Sequence, residues 1–185
     1  MIYINDHIYD FDLPEALNRL SDQRREQALK FKFELGQRTC AAAYLLLCEG
    51  LQKEYGLTEK PVFEYGEHGK PFIVDHPEIH FNLSHCREAV VCMVSDKPVG
   101  IDVESIREFK ESLVHYTMNE NEIRQIEQAE RPEMEFIKLW TQKEAVLKLT
   151  GEGISRDMKS VLINPPATLT TIVSPDQRYV YSYCY

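Results

Sequence analysis

Hydrophobic and polar positions alternate along "YINDHIYDF" (3–11), which predicts a strand near the start of the chain. In "LPEALNRL" (13–20) the spacing becomes helical, with Asp12 placed as a cap and Pro14 in the first turn. Helical spacing persists from Ser21 to Tyr55, where Cys40, Tyr44, Leu47 and Leu51 recur three or four apart as a buried stripe, and Gly56 closes it. "PVFEYGEHGKPFIV" (61–74) reads as two extended pieces joined by a glycine-rich turn. "IHFNLSH", "AVVCMVS" and "VGIDVE" (99–104) predict further strands. The second half changes character. "TMNE" (Thr117 to Glu120) has the form of a capping box and opens a short helix. "RPEMEFIKLWTQKEAVLKLTGEG" (131–153) predicts a second helix from Pro132 to just before Gly151. The tail from Ser160 alternates around turn residues as a pair of strands. The pattern is α+β, with a divide just before Val99 into an N-terminal half, 1–98, and a C-terminal half, 99–185.

With 185 residues, 43% hydrophobic and 28% charged, the chain is long enough to bury a sizeable core, as one large domain or two small ones. A net charge of −9 argues against broad nucleic-acid binding and leaves any anionic ligand to a local cluster of cations. No signal peptide is expected from "MIYINDHIYDFD", which lacks a basic start followed by a long apolar stretch. The apolar run "CAAAYLLLC" falls short of the ~18 residues that a membrane span needs. Five cysteines without a CxxC pair point to reduced thiols in the cytoplasm, with Cys40 and Cys48 as small core residues.

Candidate chemistry begins with Asp102 and Glu104, which share one face of a strand, where adjacent like charges are unfavourable without a counter-charge. On the helix of 133–149, Phe136, Ile137, Trp140 and Leu147 form one apolar arc. Glu144 falls inside that arc, about 40° from Trp140, with Lys143 and Lys148 at the edges. The plain alternative is an i,i+4 pair between Glu144 and Lys148 on a wet surface, which explains the lysine but not the position within the stripe. Three converging carboxylates suit a hard divalent cation, Mg²⁺ or equally Mn²⁺, and flanking lysines suit a metal that carries phosphate. That combination points to phosphoryl-type chemistry.

"FNLSH" (81–85), "VGIDVE" (99–104) and "WTQKEAVLK" (140–148), with "GKP" (69–71) upstream, resemble the Sfp-type 4′-phosphopantetheinyl transferases over about residues 24–153. The resemblance implies two similar α/β halves related by a pseudo-twofold, with the active site in the cleft between them. It implies transfer of the 4′-phosphopantetheine arm of coenzyme A to a serine of an apo acyl or peptidyl carrier protein, releasing 3′,5′-ADP. By position, Asp102, Glu104 and Glu144 would hold Mg²⁺, Glu144 would also serve as the base toward the carrier serine, and Lys148 would contact the phosphates. Ser84 and His85 would meet the phosphates too, with Lys70 and Pro71 beside the nucleotide. Arg38 matches the family's basic cluster for the 3′-phosphate, Lys30 and Lys32 match it approximately, and Cys48 stands where an arginine is frequent. The chain is shorter than many relatives, chiefly after Gly153. Docking of the carrier is expected on a small apolar patch drawn from "SLVHYTM" (112–118). A cytoplasmic monomer is expected, with no membrane or nucleic-acid partner.

Other constellations carry less. His76, His80 and His85 lack zinc spacing, and Cys86 and His85 would point apart on a strand. Two other functions compete: a non-catalytic relative that binds coenzyme A or a carrier, and a different Mg²⁺-dependent enzyme acting on a nucleotide diphosphate. The set Asp102, Glu104, Glu144 and Lys148 argues against the first, since a pure binder has no need of a base beside the metal.

Overall fold

The computed structural model describes residues 1–151, 157–166 and 168–185; Gly153, where the resemblance ends, lies outside them. The chain forms two compact units, Met1–Val99 and Gly100–Tyr185.

In the first unit, strand β1 (Ile2–Asn5) is followed by helix α1 (Leu13–Arg19). The Asp12 carboxylate caps α1 by accepting from the Glu15 amide at 2.8 Å. The helical stretch from Ser21 to Tyr55 is two helices rather than one: α2 (Asp22–Leu29), capped by Ser21, and α3 (Glu34–Tyr55). The break has a packing cause. Phe31 folds its ring against Gly36, so close that a Cβ there would lie 2.7 Å from it, and the Gln37 side-chain Nε2 donates to the Phe31 carbonyl. Residues 30–33 between the two helices hold no glycine or proline, so the spacing alone did not reveal the break. Gly56 ends α3 in the left-handed region, at φ 70°.

Strands β2 (Phe63–Tyr65) and β3 (Pro71–Ile73) form a hairpin, and Gly69 at φ 79° makes its turn. Strands β4 (His80–His85) and β5 (Val90–Ser95) complete an antiparallel sheet in the order β1-β5-β4, with Ser84 opposite Val91 and His85 opposite Val90. Helix α3 lies on this sheet and buries Cys40, Tyr44, Leu47 and Leu51 against Phe81, Val90, Cys92 and Val94.

The second unit runs strand β6 (Gly100–Ser105), helices α4 (Glu111–Thr117), α5 (Glu120–Gln128) and α6 (Pro132–Thr150), a 3-10 turn at Met158–Ser160, and strands β7 (Thr170–Val173) and β8 (Tyr179–Cys184). Its sheet has the order β6-β8-β7. The capping box is two residues later than expected. Asn119 accepts from the amide of Glu122, and the Glu122 carboxylate reaches back to the Asn119 amide at 2.7 Å. Thr117 instead ends α4, donating to the Leu113 carbonyl.

Helix α6 is buried on two sides, packed across β6 and β8 on one and against α5 on the other. The two three-stranded sheets share a strand order, with the last strand in sequence lying between the other two beside the first; the hairpin β2-β3 has no counterpart among the described strands of the second unit. Among the described residues no helix is long and apolar enough to cross a membrane.

Gly100 fixes how closely β6 meets α6. A Cβ there would lie 2.0 Å from the Ala145 carbonyl oxygen and 2.5 Å from the Leu149 nitrogen, both backbone atoms that cannot rotate away. Gly100→Ala is expected to lower unfolding stability by about 3 kcal/mol, the upper end for overpacking, because β6 must shift bodily. Urea denaturation checks this, and a loss below about 1 kcal/mol would show that β6 slides freely.

Candidate active site

Strand alternation places Gly100, Asp102 and Glu104 on the sheet face that α6 covers. Asp102 is 4% exposed, and Lys148 from the last turn of α6 donates to its Oδ1 at 2.6 Å. Glu104 is half-buried, with the Arg107 guanidinium 4.0 Å from its Oε2. Glu144 is half-buried on α6, one turn before Lys148.

The three carboxylates act on one another. Burial, then the charge of Asp102, push the Glu104 carboxyl from 4.5 up to about 7, against the pull of Arg107 and Lys148, and Glu144 adds to the rise. Glu144 is raised as well, by burial first and then by Asp102, with Lys148 opposing. Burial is the larger cause of both rises, and the mutual repulsion of the carboxylates adds to it. Among the described residues, no three carboxylate, imidazole or thiol groups already stand close enough to hold a metal ion. The donor set nevertheless fits one in kind: hard oxygen ligands from β6 and α6 whose mutual repulsion a divalent cation relieves.

The raised Glu104 carboxyl has a measurable consequence. A carboxyl raised in the folded state contributes stability that is complete below its unfolded value and is lost as pH rises through the folded one. Between pH 5 and pH 8 the chain without divalent cation is expected to lose about 1–2 kcal/mol of stability, less than the full shift implies because Glu104 keeps contact with water. Glu104→Gln should flatten most of this slope in urea titrations. A slope unchanged in that variant would show that Glu104 is not the group whose raised carboxyl sets it.

Lys143, expected at the edge of the arc beside phosphate, points elsewhere. Its side chain is 0% exposed, pairs with Glu122 at 2.8 Å and donates to the Met158 carbonyl at 2.7 Å. Burial lowers its ammonium, and the bond to Glu122 is the main influence holding it up. Lys143 therefore ties α6 to α5 and to the 3-10 turn. Projection of α6 alone could not find this, because a second helix covers the edge where a lysine would otherwise reach water. Beside Asp102, its cross-strand partner Ser182 shares hydrogen bonds with Thr141 at 2.8 Å and Thr171 at 2.9 Å, while Gln142 donates to Thr171. This buried hydroxyl chain fixes α6 over β8 and β7, and it too escaped the sequence reading.

Next to Glu104 an open groove of about 300 Å³ is lined by Arg107, Phe109, Leu113, Phe136 and Trp140, among others. Of the segment expected to dock a carrier, Val114, Thr117 and Met118 are buried. Leu113, His115 and Tyr116 face solvent, Tyr116 at 75% exposure.

The first unit places the remaining candidates as follows. Lys70, at the end of the hairpin turn, donates to the Val99 carbonyl at 3.1 Å, and Pro71 begins β3. Ser84 is buried and His85 exposed, and as neighbours on β4 their side chains leave opposite faces. Arg38 donates to Glu34 at 2.7 Å and to the Phe11 carbonyl at 2.8 Å, with the Phe11 ring 5.2 Å away. It clamps the segment before α1 onto α3. Lys30 and Lys32 are exposed. Cys40 is a core residue, whereas Cys48 is only half-buried.

A sequence profile for the 4′-phosphopantetheinyl transferase superfamily matches residues 98–184. The chain is 36% identical to the 4′-phosphopantetheinyl transferase psf-1 of Bacillus pumilus over 144 residues, 76% of this chain and 62% of the relative. It is 30% identical to a 4′-phosphopantetheinyl transferase of Bacillus subtilis over 145 residues, 76% of this chain and 64% of that protein. Against the 4′-phosphopantetheinyl transferase HetI of Nostoc sp. the identity is 32% over 171 residues, 86% of this chain and 72% of the relative. The chain thus spans between three fifths and two thirds of the length of the two Bacillus relatives.

Proposed function

Because this chain belongs to the Sfp-type 4′-phosphopantetheinyl transferase family, we propose that it moves the phosphopantetheine arm of coenzyme A onto a serine of an apo carrier protein and releases 3′,5′-ADP. The observation that carries this reading is the cluster of Asp102, Glu104, Glu144 and Lys148. A phosphoanhydride bond breaks in the reaction, and charge builds on the leaving phosphate, so cations must face it. Mg²⁺, held by Asp102, Glu104 and Glu144, would supply Lewis-acid stabilisation of that charge when bound.

The chain's own residues do the rest. Lys148 offers its ammonium to the phosphates. The carboxylate of Glu144, whose affinity for a proton burial raises, takes the proton from the carrier serine hydroxyl, a poor nucleophile until it loses that proton. The groove lined by Phe109, Leu113 and Trp140 gives an apolar approach to Glu104, and the exposed Leu113 and Tyr116 supply the docking patch for the carrier.

In the first unit, Lys70 and Pro71 are assigned to the nucleotide, and Ser84 and His85 to its phosphates. Their opposite faces leave one of the last two to act through its backbone. Arg38, with Lys30 and Lys32, is assigned to the 3′-phosphate, for which the arginine would exchange Glu34. The shared strand order of the two units supports reading them as similar halves, and a pseudo-twofold belongs to the same proposal. The protein is taken to act as a monomer in the cytoplasm.

Release of 3′,5′-ADP, followed by chromatography, tests the reading. It should require coenzyme A, an apo carrier and a divalent cation together. Release without any carrier would favour instead an enzyme that cleaves nucleotide diphosphates.

A further inference from the structure

We propose that the hydroxyl chain of Thr171, Ser182 and Thr141 is a positioning device: it sets how closely Glu144 on α6 stands to Asp102 on β6, and so how well the two share a divalent cation. This rests on the transferase reading above. One rung of the sheet carries the device. Asp102 on β6 pairs with Ser182 on β8, and Ser182 pairs with Thr171 on β7. Side chains paired across antiparallel strands share a face, so the three stand in a row beneath α6. The helix meets this row at three points: Lys148 at Asp102, Thr141 at Ser182 and Gln142 at Thr171.

Counting protons fixes the direction of the chain. Thr141 gives its one hydroxyl proton to the Lys138 carbonyl at 3.0 Å, so toward Ser182, 2.8 Å away, it accepts. Ser182 then donates to Thr141 and accepts from Thr171 at 2.9 Å. Thr171 in turn accepts from Gln142 Nε2 at 2.8 Å. The chain leaves α6 at Gln142 and returns to it at Thr141, with an acceptor for every hydroxyl proton. Thr141 and Ser182 are both 0% exposed, so water does not repair a broken link.

Lys148 also ties α6 to the row, but through a flexible four-carbon stem that lets the helix rise while the ion pair persists. A serine or threonine hydroxyl sits on Cβ itself, and a bond between two of them holds the two backbones at a set distance. Glu144 follows Thr141 by three residues, one turn along the same helix face. Like charges on β6 and α6 push the two elements apart, and the hydroxyl chain opposes that push beside Asp102. Thr141, Ser182 and Thr171 thus act through the place of the helix, not by touching metal or substrate.

Calorimetric titration of the full chain with Mg²⁺ alone tests this, beside urea denaturation to show that each variant folds. Thr141→Val keeps the shape and removes the hydroxyl. It should bind Mg²⁺ about 10-fold more weakly than the wild-type chain, as loss of a group that orients metal ligands does. Thr141→Ser restores the hydroxyl and should return binding to within about 2-fold of wild type. Thr171→Val breaks the chain two strands from Asp102 and should also weaken Mg²⁺ binding. Joined to Thr141→Val it should add little, since one break already opens the chain.

Wild-type affinity in Thr141→Val or in Thr171→Val overturns the proposal and leaves the transferase reading intact. So do a Thr141→Ser variant as weak as Thr141→Val and fully additive losses in the double variant. A wild-type chain that binds coenzyme A but takes up no Mg²⁺ overturns the metal reading, and this proposal with it.

Discussion

Replacing Glu144 by glutamine is expected to slow carrier modification by about 10³-fold, the range of a lost general base, without weakening the fold. The two effects separate because of where Glu144 sits. Its carboxyl is raised by burial and by Asp102, so above the pH at which it ionises the charge opposes folding rather than supporting it. A neutral amide of the same shape removes that opposition. The variant should therefore unfold at the same or higher urea concentration near pH 8 while losing its activity. Single-turnover transfer measured beside urea denaturation checks both halves of the expectation. Activity close to wild type would remove Glu144 from the role of base.

The largest effect on stability is expected at Lys143→Ala. Truncation leaves the Glu122 carboxylate buried without the ammonium 2.8 Å away, and it removes the donor to the Met158 carbonyl. Breaking one side of such a pair costs about 3–5 kcal/mol, most of it from the charge left behind. Glu122 also closes the capping box of α5, so its removal would confound the reading. Glutamine at that position keeps a cap-competent side chain and discards the charge. The double variant, Lys143→Met with Glu122→Gln, should accordingly recover most of the loss, since neither member then carries a buried charge. Urea midpoints of the single and double variants decide. If Lys143→Ala loses less than about 1 kcal/mol, α6 is held by its apolar contacts and hydroxyl chain alone.

Much of this architecture is legible in the residues themselves. Caps and stops such as Asp12, Gly56, Pro132 and Gly151 act locally, and each falls where spacing and side-chain chemistry place it. The alternation in "VGIDVE" correctly gives Asp102 and Glu104 one face, because side-chain direction on a strand depends on neither length nor partner. What stayed hidden depends on contacts between distant segments. The break before α3 arises from Phe31 packing on Gly36, and α4 is a short helix without a side-chain cap. The path of Lys143 depends on α5 covering the edge of α6, and the pairing of Lys148 with Asp102 on an approach that Gly100 alone permits. The shared face of Asp102 and Glu104 was therefore visible in the sequence, while the pairing of Lys148 with Asp102 was not.

Intact-mass spectrometry of a panel of apo carrier proteins tests the central claim most directly. Each carrier would be incubated with the full chain and coenzyme A, with and without Mg²⁺. A gain of one phosphopantetheine mass on a carrier, only when Mg²⁺ is present and lost with a serine-to-alanine carrier, is the result predicted. Unmodified carriers throughout, from a chain that still binds coenzyme A, would contradict it and point to a binding protein.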